Sequence, residues 1–196
     1  MMVPKSSRIG AAVLGLWASA TMLAHAQTPQ TPQALVAAQS EVTFVAKQLG
    51  VPLEGRFKRF AVQSTLDPRQ PQRSQVALQI ELGSVSLNAD ADVELLKPEW
   101  FNAAKFPKAT FQSSAIKALG GGRFEVAGKL AIKGQARDLT VPVQLTQSQG
   151  LSTAVGSFVI KRLDFKVGDG DWADPSVVAN DVHVKFKLVL QGVPAL

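Results

Sequence analysis

The chain has 196 residues, 46% of them apolar and 18% charged, with a formal net charge of +6. That composition suits one globular domain with a sizeable core and excludes a charge-heavy disordered chain. The absence of Cys excludes disulfides, Cys-ligated zinc, iron–sulfur clusters, a Cys nucleophile and a lipid-modified Cys; Tyr is also missing, and His occurs only at 25 and 183.

The first 26 residues read as a secretory signal. Lys5 and Arg8 precede a mostly apolar stretch from Ile9 to Leu23. Ala24-His25-Ala26 then supplies the small residues that signal peptidase reads, so cleavage is expected between Ala26 and Gln27 and localisation in the periplasm. At 15 residues the stretch is short for a membrane span, which needs about 20. Its removal takes the chain from 196 residues to 170 and from +6 to +4, since it holds two bases and no acid. Gln27 to Gln39, QTPQTPQALVAAQ, reads as a flexible tether, and 40–193 as a single domain.

From Ser40 the hydrophobic period is two. Val76, Leu78, Ile80 and Leu82 alternate with Ala77, Gln79 and Glu81, and Val182, Val184, Phe186, Leu188 and Leu190 alternate with His183, Lys185 and Lys187. Such alternation describes strands with one buried face. Eight are expected, at 41–48, 53–66, 74–87, 108–118, 123–132, 139–147, 152–162 and 180–191, separated by turn residues such as Asp67-Pro68 and Gly120-Gly121-Gly122. The exception is a helical insertion at about 90–104. There Asp90, Asp92 and Glu94 precede Leu95-Leu96, and Pro98 suits the first turn of a second short helix carrying Trp100 and Phe101.

Eight long one-sided strands with short connections favour an all-β, extended antiparallel barrel, with the helical insertion as a lid. Gly55, Gly128 and Gly156 fall on the apolar face, where missing side chains leave room for a guest; alternatively they permit bulges and corners. The candidate tunnel lining is Phe44, Phe57, Leu78, Ile80, Phe111, Phe124, Val126, Gly128, Leu130, Val141, Val143, Gly156, Phe158, Ile160, Val184, Phe186 and Leu188. Each buried methylene contributes about 0.8 kcal/mol, so such a lining suits an elongated apolar guest.

Several segments in order carry a family resemblance: Leu53-Glu54-Gly55-Arg56-Phe57, Leu66-Asp67-Pro68, Phe106 to Ser114, Gly128 to Gly134, Phe158 to Phe165 and Val182 to Leu190. Over about 40–191 the chain resembles the YceI-like family of periplasmic polyisoprenoid-binding proteins. The resemblance implies an eight-stranded lipocalin-like barrel with an isoprenoid chain in its apolar bore, no catalysis and no obligatory metal or cofactor beyond a bound isoprenoid-like lipid or quinone. Lys166, where the family often has Gly, and the acidic loop Gly168 to Asp174 depart from the pattern.

Candidates for the mouth are Trp100, Phe101, Arg162 and Trp172. Arg162 shares parity with Phe158 and Ile160 and so points inward, either to a ligand head group or to a buried partner among Asp164, Asp174 and Asp181. Asp169, Asp171 and Asp174 lack the later Glu of a calcium loop, so no metal site is expected. His183 belongs outside with Lys185 and Lys187. Arg56-Phe57-Lys58-Arg59-Phe60 mixes basic and aromatic residues, but reads as a strand with a bulge where parity breaks, not as a nucleic-acid groove.

The expected function is a non-catalytic carrier or buffer of a long-chain apolar lipid, with transient contact to an anionic membrane surface and a homodimer left open. The alternative is an envelope interaction module with a filled barrel. A hydrolase is disfavoured, because no nucleophile elbow surrounds any Ser.

Overall fold

The computed structural model describes residues 33–196. The expected signal segment 1–26, its cleavage point and residues 27–32 of the tether lie outside the described residues. The strands are β1 (Ala34–Leu35), β2 (Glu41–Gln48), β3 (Val51–Phe57), β4 (Phe60–Ser64), β5 (Val76–Glu81), β6 (Val85–Ser86), β7 (Lys108–Gly120), β8 (Arg123–Ile132), β9 (Gln135–Ser148), β10 (Leu151–Lys161) and β11 (Asp181–Gln191). They form one curled antiparallel sheet in the order β4-β5-β7-β8-β9-β10-β11-β2-β3-β6, with β1 paired to β11.

Eleven strands stand where eight were expected, for three local reasons. β3 and β4 are one expected strand broken at Lys58-Arg59, where parity changes between Phe57 and Phe60. β5 and β6 are another, broken by the 3-10 turn Leu82–Ser84. The two breaks face each other. Lys58 N donates to Ser84 O and Glu81 N to Arg59 O, both at 3.0 Å, while the buried Ser84 hydroxyl accepts from Arg59 N at 3.0 Å and donates to Glu81 O at 2.7 Å. β3–β6 and β4–β5 are therefore two halves of one kinked hairpin. Because they are also the two ends of the sheet path, the sheet meets itself there.

The third reason is β1, which lies inside the segment read as tether. Ala34 and Leu35 ladder onto Gln191 and Leu190, Val36 N donates to Val189 O at 2.8 Å, and a 3-10 turn follows at Ala37–Gln39. The Gln33 amide grips Leu66 from both sides, donating to its carbonyl at 2.7 Å and accepting from its N–H at 3.0 Å. Residues 33–39 are thus tied to the barrel. Ala34, Leu35 and Val36 are half-buried there, apolar surface that the Thr-Pro-Gln repeats before them lack.

The helix α1 (Ala89–Glu94) is capped by Asn88, whose Oδ1 accepts from Ala91 N at 2.9 Å, with Asp90 and Asp92 in its first turn. The second short helix expected after Pro98 does not form. Trp100 N bonds back to Lys97 O, Phe101 N to Leu95 O, Asn102 N to Lys97 O and Ala103 N to Leu96 O. These reaches of three to seven residues wind the segment into a compact set of turns with no i−4 ladder.

The core divides in two. One buried cluster, at the end covered by the turns, contains Leu82, Trp100, Leu130, Ile132, Phe165, Val167 and Val178. The other contains Leu66, Ile116, Phe124 and Leu145, with Val193 packed against it.

Candidate functional site

Between these clusters the barrel is not filled. It encloses a cavity of ≈ 220 Å³ with walls of almost nothing but carbon. One water needs about 10–15 Å³ on this measure. Phe44, Phe57, Leu78, Ile80, Phe111, Phe124, Val126, Leu130, Val141, Val143, Phe158, Ile160, Val184, Phe186 and Leu188 all border it. So do residues left out of the expected lining, among them Val42, Val62, Val76, Leu82, Leu95, Ile116, Leu145, Val178 and Val182. Most of these continue the same alternation; Leu95 and Val178 come from connecting segments and carried no periodic signal.

Gly128 and Gly156 are not on the wall, and neither glycine leaves empty space. A Cβ on Gly128 would stand 2.5 Å from Cζ of Phe111, one on Gly156 would stand 2.5 Å from Cζ of Phe186, and one on Gly55 would collide with the ring of Phe44. Each missing side chain is the seat of a phenyl ring from the neighbouring strand, an arrangement known to support glycine in sheets. The glycines act indirectly: by drawing three Phe rings against the wall, they keep the axis open.

At the covered end, Arg162 is 2% exposed and points inward as expected. Its partners are a different matter. All five N–H groups donate to backbone carbonyls: Nε to Ala179 at 3.1 Å, Nη1 to Val167 at 2.9 Å and Gly168 at 2.5 Å, and Nη2 to Trp172 and Val178 at 2.7 Å each. None of Asp164, Asp174 or Asp181 pairs with it; Asp181 meets Lys161 at 3.2 Å and Asp174 accepts from Ser176 N at 2.8 Å. The guanidinium therefore knots the 162–179 loop together and has no N–H left for a head group. Burial pushes its pKa below the ordinary arginine value.

Lys133 is a second inward cation, one the sequence reading missed because it sits in a turn. Lys133-Gly134 has φ of 48° and 73°, the two-residue hairpin geometry that matches strand twist and favours glycine in its second place. From there Nζ reaches Lys166 O at 2.5 Å, Glu99 O at 3.0 Å and the Asp169 carboxylate at 3.3 Å. Glu99 O also accepts from Gly168 N at 2.9 Å and Asp169 N at 3.1 Å. These bonds clamp the 95–105 turns to the acidic loop and seat the lid. Trp100 and Phe101 border the cavity beneath it, the Phe101 ring 6.1 Å from that of Phe57 and tilted 56° to it. Trp172 stands away from the cavity, 5.4 Å from the Trp100 ring. His183, Lys185 and Lys187 are exposed on the outer face of β11.

The sequence pattern of the YceI-like domain matches residues 34–190. The chain belongs to the YceI-like family. Among solved structures it is similar to BcnA of Burkholderia cenocepacia, with a TM-score of 0.76 and 41% identity over 79% of this chain and 98% of that one. It shares its fold with the YceI protein of Campylobacter jejuni (TM-score 0.64, 20% identity, 70% of this chain and 83% of that one). The same holds for a polyisoprenoid binding domain from Saccharophagus degradans implicated in plant cell wall breakdown (TM-score 0.64, 20% identity, 82% and 98%). The protein YceI of Salmonella arizonae is 35% identical over 106 residues, 53% of this chain and 55% of that protein, so the chain spans about half the length of the curated relatives it matches.

Proposed function

We propose that this YceI-like protein is an exported, periplasmic, non-catalytic carrier or buffer that holds an isoprenoid or similar long-chain amphiphile in its tunnel. The observation that carries the reading is the apolar cavity of ≈ 220 Å³ lying along a barrel whose inward Phe rings are parked on glycines. Polar and charged chemistry is kept off the wall: the two inward cations at the lid are engaged by backbone and by Asp169. The Saccharophagus neighbour, described as polyisoprenoid binding, supports the same guest class. Export is supported by the positive start, apolar run and Ala-His-Ala of the first 26 residues. On the outer wall Val155 and Val159 are exposed beside Lys187 and His183, their register partners, a surface suited to transient contact with an anionic membrane.

Native mass spectrometry of the purified protein tests the reading. Long-chain apolar molecules should be released on denaturation, and added polyprenol should displace a fluorescent lipid probe. A protein that carries no lipid and binds neither probe nor polyprenol is an interaction module instead.

A further inference from the structure

Along one seam the barrel closes without a ladder. β4 ends the sheet path, and its strand partner is β5 alone. Thr65 N donates to Gln75 O at 2.9 Å and Arg59 O accepts from Glu81 N at 3.0 Å. Arg59, Ala61, Gln63 and Thr65 therefore turn their backbone groups toward β5, and with a period of two Phe60, Val62, Ser64 and Leu66 turn theirs the other way. Leu66 is met there by the Gln33 side chain, which donates to its carbonyl and accepts from its N–H. That is the pair of bonds one residue of an added antiparallel strand makes. Among the described residues no hydrogen bond takes up Phe60, Val62 and Ser64 in the same way. Phe60-Ala61-Val62-Gln63-Ser64 also holds no charge and no Pro, the residues that ordinarily guard an edge. Beside Phe60 and Ala61 the seam widens into a cleft of ≈ 570 Å³, with Ala37, Ser40 and Glu41 on its far border.

We propose that this seam docks an extended acidic segment of a partner protein, which adds to β4 as a further strand. The main-chain groups of Phe60, Val62 and Ser64 supply the affinity, as in other cases of strand addition, and the cleft supplies the selectivity. Four cations line that cleft: Arg56, Lys58, Arg59 and Lys108. Arg59 is held by Glu81 at 2.5 Å, and Lys108 donates to Gln79 Oε1 at 3.1 Å. Among the described residues Arg56, Lys58 and Lys108 have no carboxylate partner, and Glu41 is the one other acid on the cleft. Parity sets the pattern of the docked segment. Phe60 and Val62 are half-buried, whereas Ala61 and the three unpaired cations are exposed. The segment thus alternates apolar residues, beside Phe60 and Val62, with acidic residues on the outer side. An anionic bilayer would engage the cations but offers no backbone to the edge. The surface is independent of what the tunnel holds.

The test is amide exchange by NMR on the full chain, with two end-blocked eight-residue peptides as probes, one alternating Val with Glu and one alternating Val with Lys. In the free protein the Phe60, Val62 and Ser64 amides should exchange at least about tenfold faster than those of Ala61 and Gln63. Excess Val–Glu peptide should slow those three by about tenfold or more. It should bind about fivefold more tightly than the Val–Lys peptide, and Lys58→Glu, an exposed change, should erase that ratio. Methylating alternate peptide nitrogens strips the donors from one edge of the probe, so one of the two possible methylated Val–Glu peptides should lose the protection. Vesicles of phosphatidylglycerol should leave the three amides unchanged. Slow exchange of these amides in the free protein means that the chain's own residues cover the edge, and overturns the proposal. So does protection by vesicles in place of peptide, no protection by the Val–Glu peptide, no preference for it over Val–Lys, or full protection by both methylated peptides. None of these outcomes bears on lipid in the tunnel.

Discussion

Phe44 on β2 and Gly55 on β3 are register partners, and the Phe44 ring occupies the space where a side chain on Gly55 would begin. The same relation holds between Phe186 and Gly156 across β11 and β10. A tunnel kept open in this way depends on groups too small to be seen on its wall.

Gly156→Val is therefore expected to act at a distance. The new side chain pushes Phe186 off β10 and into the tunnel, and also crowds Pro142 O, 2.7 Å from the ideal Cβ. Overpacking of this kind costs about 1–3 kcal/mol. Thermal unfolding should show a destabilised but folded barrel, while titration with the fluorescent lipid shows binding lost. Unchanged binding would mean that the ring has another place to go.

Arg162 is predicted to be a structural keystone of the last loop. Arg162→Met leaves five carbonyls short of a donor inside the protein and should lower stability by at least about 3 kcal/mol in urea unfolding. Arg162→Lys keeps the charge with three donors in place of five and should fall between the two.

Lys133 tests the seating of the lid. In Lys133→Met the stem remains, but the bonds to Glu99 O, Lys166 O and Asp169 are lost. Amide exchange at Gly168 and Asp169 should quicken about tenfold, the effect of about 1.4 kcal/mol on local opening. Lipid dissociation should quicken with it. The barrel strands should exchange as before.

Guest affinity should rise with chain length and then stop. Each added methylene that enters the tunnel contributes about 0.8 kcal/mol, or close to fourfold in Kd, until the cavity is full. Calorimetry across a series of alcohols should give that slope and a plateau; a flat series would place the guest outside the barrel.

Acid should loosen one turn before the fold. The Ser176 N–H and hydroxyl hold the Asp174 carboxyl below its ordinary value of 3.8, so the turn is stabilised at neutral pH. That contribution is lost as pH falls through the lowered value. Exchange protection of the Ser176 amide should drop over this range, and Asp174→Asn should flatten the dependence.

The sequence carried the barrel because alternation is a direct image of a sheet with one buried face, and Phe158 and Ile160 could be placed inward by counting. The parity change between Phe57 and Phe60 also marked one kink, but not the one that faces it. Nothing in Leu82-Gly83-Ser84 announces that the Ser84 hydroxyl will staple an opposing kink. Arg162 was correctly placed inside, but an inward charge suggests an acid, whereas five carbonyls of one loop serve as well and leave no trace in composition. Lys133 was invisible for the opposite reason: a turn lysine ordinarily faces water. The glycines were found with two readings open, room for a guest or a bulge; the ladder does shift opposite Gly128, but the phenyl rings seated on all three could not be read from one strand alone.

The seat of β2 is made by residues far from it in the chain: Glu41 lies opposite Lys187, and Ser40 Oγ accepts from Val189 N at 2.9 Å, 149 positions away. Glu41–Gln48 can form a hairpin with β3 early, but its other edge stays open until Asp181–Gln191 arrives. Closure of the wall therefore rests on contacts of long sequence separation, whose loop-closure cost slows folding. A chain that lacks its final strand presents a long unsatisfied β2 border to its neighbours.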